Sequence, residues 1–153
     1  MSAVYLETSA VLRWLLGESN ASRIAGRIQE TAEPVCSILT ILETQRALVR
    51  AERERPSRVR QLRLLRRQLG EASADWNVLE ITPEVCVRAG EPFPIEPVRT
   101  LDAIHLATAL HFGRAFPSLS VLTFDERILT NLEPLGLLRA GTSSRNSSPL
   151  GDR

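Results

Sequence analysis

Short runs of strand-forming residues alternate with longer stretches of helical periodicity along this 153-residue chain. The strand-like runs are Ala3–Leu6, Pro34–Ser37, Asn77–Ile81, Ser120–Phe124 and Gly136–Arg139. The helical stretches cover about residues 9–30, 38–53, 57–74, 83–90, 100–113 and 125–133. Helical crossovers between successive strands make the strands parallel, so this pattern predicts a three-layer α/β/α fold with a mainly parallel five-stranded sheet.

The chain is predicted to form one domain followed by a short tail. Pro56 interrupts the helical periodicity, so residues 38–53 and 57–74 are predicted to form a helical hairpin rather than one long helix. The segment Glu91–Pro97 contains three prolines, which predicts an extended loop that leads into the helix at residue 100. Residues 1–140 hold these elements, whereas residues 141–153 have the composition of a disordered tail.

The chain contains no lysine, so all nineteen of its basic residues are arginines. A lysine ammonium is needed in a Walker-A phosphate loop, in a Schiff-base enzyme, and in phosphoacceptor sites that combine an acidic pair with a lysine. The absence of lysine therefore excludes these three classes of site.

The cysteines and the hydropathy pattern predict a cytoplasmic protein with no membrane segment. Cys36 and Cys86 lie in apolar contexts, and neither has a second cysteine or a histidine at metal-ligand spacing. We therefore expect two buried, reduced thiols rather than a disulfide or a zinc site. The apolar stretches are too short to cross a bilayer, and the N-terminus lacks the pattern of a signal peptide.

The charge is distributed unevenly along the chain. Residues 46–71 contain nine arginines and three glutamates, a net charge of +6, whereas the remainder has ten arginines and fifteen acidic residues, a net charge of −5. The same segment has an apolar stripe of Val59, Leu62, Leu65 and Leu69 at helical spacing. Two interpretations are open. Either the arginines contact nucleic-acid phosphates and the groove between the helices receives a partner segment, or the stripe packs on the body and the arginines form a solvated face.

Two acidic residues directly follow predicted strands. Glu7 comes immediately after the first strand and Asp125 immediately after the fourth. The carboxyl ends of parallel strands lie at one edge of a sheet, and ligands of such folds bind beyond that edge. We therefore expect both carboxylates at the same edge.

Two more acids are expected near that edge. Glu43 lies just over one turn into the helix after the second strand, among apolar neighbours, and Asp102 lies in the first turn of a helix that Thr100 is predicted to cap. Each acid alone has an ordinary explanation as a helix cap or a partner of the helix dipole. Four carboxylates together would repel one another, which indicates a bound cation. Oxygen ligands with no histidine or cysteine expected nearby favour Mg²⁺ or Mn²⁺ over zinc or copper.

Four segments resemble, in the same order, the acidic motifs of the PIN-domain family. They are Tyr5–Leu12, Ile41–Leu48, Leu101–Leu110 and Leu122–Leu129. Each motif alone is weak, but their order and spacing over residues 3–139 make the resemblance specific. The VapC-like branch, the nuclease half of type II toxin–antitoxin pairs, is the most similar.

The resemblance implies a PIN-like nuclease domain over residues 1–140 and an endoribonuclease that depends on Mg²⁺ or Mn²⁺. It implies that the four acids, Glu7, Glu43, Asp102 and Asp125, bind the metal and carry catalysis. It also implies an RNA substrate, a small antitoxin partner and a homodimer. The first acid of the family is usually aspartate, and the longer Glu7 side chain puts full activity with Mg²⁺ in doubt because Mg²⁺ demands near-ideal octahedral geometry.

Several further residues are given roles. Thr8, Ser9 and Thr123 are expected to support the site with their hydroxyl groups, although turn and capping roles explain them equally well. Arginines 46, 50 and 99 are expected to contact RNA. The two histidines, His105 and His111, are assigned to structure because they are six residues apart on one helix and do not share a face. His105 follows Asp102 by three residues, so a catalytic role near the site is the less favoured alternative for it. Trp14 is expected to pack in the protein or to line the homodimer interface.

Two other functions compete with the toxin. The chain could be a housekeeping PIN nuclease for RNA maturation, although such enzymes often carry an additional RNA-binding module. It could also be a degenerate PIN domain that binds RNA or a partner without cleavage. Glu7 favours the degenerate domain, and the presence of all four carboxylates opposes it.

Overall fold

A computed structural model of the protein describes residues 2–31 and 33–141. Within them, strands and helices alternate as the sequence predicts. The strands are β1 (Ala3–Leu6), β2 (Glu33–Ser37), β3 (Asn77–Leu79), β4 (Ser120–Leu122) and β5 (Leu138–Arg139). The helices are α1 (Thr8–Leu15), α2 (Ala21–Glu30), α3 (Ile38–Glu54), α4 (Val59–Ser73), α5 (Pro83–Ala89), α6 (Thr100–Ala115) and α7 (Glu126–Leu132).

The five strands form one parallel sheet in the order β3-β2-β1-β4-β5. The chain moves from β1 to β3 in one direction and then crosses back to β4 on the other side of β1. Right-handed crossovers in opposite directions place their helices on opposite faces of a sheet. The predicted three-layer α/β/α fold is therefore confirmed. The order in which strands are added to the sheet reverses at β1, because β4 pairs with β1 on the side opposite to β2.

Each face of the sheet has its own hydrophobic core. Strand β1 is buried on both faces: Val4 and Leu6 belong to the core formed with helices α1 to α4, and Ala3 and Tyr5 belong to the core formed with α6 and α7. Side chains alternate between the two faces along a strand, so this central strand is apolar at every position. Its burial fixes the position of the first residue that follows it, Glu7.

The prediction of one continuous helix over residues 9–30 is wrong. Helix α1 ends at Leu15, and α2 begins only at Ala21. Gly17 and Asn20 between them have backbone φ angles of +66° and +75°. This left-handed conformation is open to glycine and tolerated by asparagine, and it ends helical propagation at both positions.

The ends of other elements also differ from the prediction. Strands β3, β4 and β5 are shorter than expected, because the residues at their ends pass into loops and helix caps. The hairpin of α3 and α4 is confirmed, and a 3-10 turn at Pro56–Arg58 connects its two helices.

The proline-containing loop before α6 is held in place by polar side chains. Asn131 accepts a hydrogen bond from the Ile95 N–H at 3.0 Å and donates one to the Ile95 carbonyl at 2.9 Å. Glu96 accepts hydrogen bonds from the N–H groups of Phe93 and Val98 at 2.9 and 2.6 Å. Phe93 is buried in the core between the sheet and α6. These contacts fix the start of α6 and, with it, the position of Asp102.

The apolar stripe of α4 packs on the body of the domain, whereas contact of the arginines with nucleic acid stays a prediction. Leu62 and Leu69 are buried in the same core as Leu48 of α3. Glu52 of α3 lies 3.8 Å from the Arg63 Nε and 3.4 Å from an Arg66 nitrogen, so it pairs with part of the arginine face. The stripe is therefore not an open groove.

The two cysteines differ in burial. Cys36 on β2 is fully buried, and burial raises the pKa of its thiol to about 12. The expectation of a second buried thiol is wrong, because Cys86 lies on the exposed face of the short helix α5. An apolar sequence context did not predict burial here, since only Val85 of this helix is buried.

Trp14 is half-buried and packs on Trp76, with 6.3 Å between the ring centroids. A homodimer interface at Trp14 stays a prediction. The predicted tail begins at residue 141, but residues 142–153 lie outside the described residues. Among the residues that the structure describes, no helix has the length and hydropathy that a membrane span requires.

The packing of α4 generates a prediction about stability. Leu69→Ala should lower the free energy of unfolding by about 2–5 kcal/mol, because it leaves a cavity in a fully buried part of the core. Leu64→Ala on the same helix is the matched control, since Leu64 is 55% exposed and its loss should change stability by less than about 0.5 kcal/mol. Urea denaturation measures both variants, and equal effects would contradict the described packing.

Candidate active site

The four predicted acids line one cavity at the carboxyl-end edge of the sheet. The cavity has a volume of about 410 Å³, and its other lining residues include Thr8, Ser9, Arg99 and His105. It lies beyond the carboxyl ends of β1 and β4, the neighbouring strands at which the strand order of the sheet reverses. This is the position at which open parallel sheets bind ligands.

Glu7 is held by three donors on a single oxygen. Its Oε2 accepts hydrogen bonds from the Ser9 N–H at 3.0 Å, from the Thr123 hydroxyl at 2.7 Å and from the Ser9 hydroxyl. Glu7 is thereby the N-cap of α1. Its other oxygen, Oε1, has no hydrogen bond within the described residues and lies 3.9 Å from the His105 Nε2. The side chain is almost fully buried.

The same hydroxyl groups connect the two strand ends of the site. The Ser9 hydroxyl oxygen accepts the Phe124 N–H at 2.8 Å, and the Thr123 hydroxyl oxygen accepts the Asp125 N–H at 3.1 Å. These bonds join the start of α1 to the loop after β4. The structure thus brings Ser9 and Thr123 together at Glu7, where each hydroxyl group donates and accepts.

Glu43 lies in the second turn of α3 and is held by two donors on one oxygen. Its Oε1 accepts hydrogen bonds from the Thr8 hydroxyl and from the His105 Nε2, both at 2.7 Å. Burial by itself raises the pKa of this carboxyl, but the hydrogen bonds from His105 and Thr8 and the charge of His105 lower it by more. The pKa of Glu43 therefore lies below its ordinary value.

The two aspartates each have a partner from their own helix terminus. Asp102 is mostly buried in the first turn of α6, and its Oδ2 lies 3.4 Å from the Nε of Arg99. Arg99, not Thr100, precedes the helix, so the predicted capping role of Thr100 is wrong. Asp125 caps α7, because its Oδ1 accepts the N–H groups of Arg127 and Ile128 at 2.9 and 3.4 Å.

The four acids share one arrangement. In each carboxylate, one oxygen is held by a protein donor, and the other has no hydrogen-bond partner within the described residues. Carboxylate oxygens left free in this way around one cavity suit a hard divalent cation.

As they stand, the side chains are not assembled around a single point. Within residues 2–31 and 33–141, no group of three or more His, Cys, Asp or Glu side chains is placed so that it could hold a metal ion. Two of the acids instead face a cationic or polar partner, Glu43 facing His105 and Asp102 facing Arg99. The donor chemistry fits a divalent cation, although a cation bound by all four acids would require other side-chain positions than these.

His105 is the site residue that sequence reasoning missed. Its Nε2 lies 3.3 Å from the Thr8 hydroxyl in addition to its bond to Glu43, and its Nδ1 is 2.8 Å from the Tyr5 hydroxyl. Burial raises the pKa of Tyr5 well above its ordinary value, so this hydroxyl keeps its proton. The available signal was spacing, because a residue three positions after Asp102 lies on the same face of the helix.

The predicted RNA-binding arginines occupy two places. Arg46 and Arg50 follow Glu43 by three and seven residues on α3, and both are exposed. Arg99 lies in the cavity wall, and its side chain is 65% exposed. His111 lies near the other end of α6, where it lines a separate cavity of about 450 Å³.

The environment of Glu43 generates a prediction about titration. Thr8→Val in the metal-free protein should raise the pKa of Glu43, because a donor that favours the carboxylate is lost while burial remains. ¹³C NMR of the glutamate carboxyl groups measures this value. Thr130→Val is the control, since the exposed Thr130 hydroxyl donates to the Arg127 carbonyl and does not line the cavity.

The sign of the linked stability follows from the lowered pKa of Glu43. In the wild type, this carboxylate stabilises the fold above the pKa of the unfolded chain, and the stabilisation is lost as the pH falls through the folded pKa. Thr8→Val should therefore lose less stability on acidification than the wild type. An unchanged pKa of Glu43 in Thr8→Val would show that the Thr8 hydroxyl does not hold this carboxylate.

Comparisons with known proteins agree with the geometry. The sequence model of the PIN domain matches residues 4–132. Ribonuclease VapC46 of Mycobacterium tuberculosis (strain ATCC 25618 / H37Rv) is 31% identical over 138 residues, which cover 90% of this chain and 95% of that protein. Ribonuclease VapC35 of M. tuberculosis (strain CDC 1551 / Oshkosh) is 30% identical over 136 residues, which cover 88% of this chain and 93% of that protein.

Solved structures support the same fold. A toxin–antitoxin complex from Klebsiella pneumoniae matches with a TM-score of 0.62 at 17% identity, covering 88% of this chain and 95% of that one. VapBC-1 from nontypeable Haemophilus influenzae matches with a TM-score of 0.61 at 14% identity, covering 92% of this chain and 98% of that one. All four acids lie within the matched sequence region. The resemblance of the four motifs is therefore confirmed, and the chain belongs to the PIN-domain family.

Proposed function

We propose that this chain is an endoribonuclease that uses Mg²⁺ or Mn²⁺, and that it is the toxin of a toxin–antitoxin pair. The observation that carries the proposal is the set of four carboxylates around one cavity, each with one oxygen held and the other free. An RNA phosphodiester is an anion, so an acidic cavity of this kind accepts it only with a bound cation.

Glu7, Glu43, Asp102 and Asp125 would hold the divalent ion through their free oxygens. Hard oxygen donors without cysteine suit Mg²⁺ and Mn²⁺ better than softer metals. When bound, such an ion stabilises charge that develops on the phosphate and lowers the pKa of water for attack.

The neighbouring side chains have positioning roles in this proposal. Ser9 and Thr123 fix the orientation of Glu7, and Thr8 fixes that of Glu43. Arg99 neutralises Asp102 while no cation is bound. A cation held by Asp102 would take over this charge compensation, and the exposed guanidinium of Arg99 would then be available to contact a phosphate oxygen of the substrate.

A basic path for RNA leads away from the cavity along α3. Arg46 and Arg50 lie on the same face of this helix as Glu43, since positions separated by three and seven residues align on a helix. Within the described residues, neither arginine forms an ion pair with an acidic side chain. Both guanidinium groups are thus free to contact RNA phosphates away from the scissile bond.

The assignment as a toxin is supported by the names of similar proteins. The two relatives described above, with 31% and 30% identity, are ribonucleases named VapC, and the two solved structures described above are a toxin–antitoxin complex and VapBC-1. We therefore propose a small antitoxin protein as the partner and a homodimer as the assembled state. The packed stripe of α4 implies that the antitoxin binds a surface other than a groove between α3 and α4.

A second candidate function is a PIN domain that binds RNA without cleaving it. Two observations favour it: the first acid is Glu7, and the described side chains include no group of three placed to hold a metal ion. The free oxygens around the cavity favour the nuclease.

Cleavage of RNA by the purified chain tests the proposal. With Mg²⁺ or Mn²⁺ the wild type should cut RNA, and Asp102→Asn should cut at least about 100-fold more slowly because it removes one charge that stabilises the ion. EDTA should abolish cutting. Asp75→Asn is the matched control, since Asp75 is exposed and lies outside the cavity.

Two results would contradict the nuclease proposal. Cutting that persists in EDTA or in Asp102→Asn would point to a contaminant or another mechanism. Absence of cutting with either metal, by folded protein free of an inhibitor, would favour the binding domain. In that case Glu7→Asp tests whether the longer side chain is the cause.

The basic path generates a separate kinetic prediction. The double variant Arg46→Ala/Arg50→Ala should raise KM and leave kcat unchanged, because these arginines bind RNA away from the reacting phosphate. The slope of log KM against the logarithm of the salt concentration should fall by about 0.7 for each lost phosphate contact. Arg23→Ala on α2, also exposed, is the control and should change neither value. A lowered kcat with unchanged KM would contradict this role.

A further inference from the structure

A chain of buried hydrogen bonds runs from the central strand to one of the carboxylates. The Tyr5 hydroxyl of β1 lies 2.8 Å from the Nδ1 of His105, and the Nε2 of His105 lies 2.7 Å from the Oε1 of Glu43. Tyr5 is fully buried, and His105 is only 2% exposed. A histidine so enclosed relies on protein groups to satisfy its ring nitrogens, and the Thr8 hydroxyl, 3.3 Å from the Nε2, is a third such group.

The direction of the bond between His105 and Glu43 follows from the chemistry of the two groups. An ionised carboxylate only accepts hydrogen bonds, so the Nε2 of His105 carries a proton and is the donor of the bond to Glu43. The bond between the Nδ1 and the Tyr5 hydroxyl holds the ring at its other edge, so that the Nε2 faces Glu43.

This bond decides which oxygen of Glu43 is available. Glu7 is held by a backbone N–H and two hydroxyl groups, but among residues 2–31 and 33–141 Glu43 has only Thr8 and His105 as donors. Both donors take Oε1, so Oε2 is left for a ligand in the cavity. Without His105, a single hydrogen bond would restrain a side chain with several rotatable bonds.

We propose that Tyr5 and His105 act as a buried pair of positioning residues that orients Glu43 as a ligand for the divalent cation. This inference rests on the proposed metal-dependent function. Outer partners that orient a ligand in this way commonly change metal affinity by about 10- to 100-fold. A purely structural His105 would instead stabilise the fold and leave the affinity of the folded protein unchanged.

Mn²⁺ binding to the full chain without RNA tests the inference by isothermal titration calorimetry. His105→Ala should raise the Kd for Mn²⁺ by about 10- to 100-fold, and Tyr5→Phe should raise it by less. His105→Gln should recover part of the affinity, because its amide places an N–H donor near the position of Nε2. Thr108→Val should leave the Kd unchanged, since this buried hydroxyl on α6 donates to the Ile104 carbonyl.

A spectroscopic measurement complements the Mn²⁺ affinities and is made without metal. ¹⁵N NMR of the metal-free wild type should show His105 protonated at Nε2, and Tyr5→Phe should shift the Nδ1 resonance of this ring. An Nε2 without a proton in the wild type would overturn the inference. Thermal unfolding of each variant identifies any loss of affinity that comes from loss of the fold.

The outcomes separate this inference from the function on which it rests. If the wild type binds Mn²⁺ and folded His105→Ala and Tyr5→Phe bind it equally well, the positioning role is wrong and the metal site stands. If the wild type binds no Mn²⁺, the proposed metal-dependent function is wrong, and the positioning role falls with it.

Discussion

Mutual repulsion among four carboxylates is the constraint around which this site is arranged. Each acid lines the same cavity, and each has one oxygen bound by a hydroxyl, a backbone N–H, an arginine or a histidine. At Glu43, burial raises the pKa of the carboxyl, but the hydrogen bonds from His105 and Thr8 and the charge of His105 lower it below its ordinary value. The second oxygen of each acid remains for a cation, which would supply the charge compensation that the protein donors leave incomplete.

The sheet brings these acids together because its strand order reverses at the central strand, β1. Strands β1 and β4 are neighbours although about 110 residues separate them, so Glu7 and Asp125 follow adjacent strand ends. Hydroxyl groups of Ser9 and Thr123 then join the two loops. The core beneath this edge is apolar on both faces of β1 and gives the site a rigid base.

Much of this architecture could be predicted from the sequence. Alternating strand and helix patterns determine a parallel sheet, and acids directly after strands must lie at its carboxyl edge. The break at Gly17 and Asn20 was missed because both residues also occur within helices, and only their left-handed backbone separates α1 from α2. His105 was missed because its role depends on Tyr5 and Glu43, which are 100 and 62 residues away in sequence. Contacts between residues so far apart in the sequence are determined by tertiary packing, so a local sequence pattern does not predict them.

The most direct test of this account is a crystal structure of the chain soaked with Mn²⁺, with anomalous diffraction used to locate the ion. The account predicts an anomalous peak in the cavity, coordinated by oxygens of Glu7, Glu43, Asp102 and Asp125. It also predicts that Asp102 turns away from Arg99 while His105 keeps its bond to Glu43. A cavity without a peak at saturating Mn²⁺, or a peak on other residues, would contradict the central claim that these four carboxylates form a metal site.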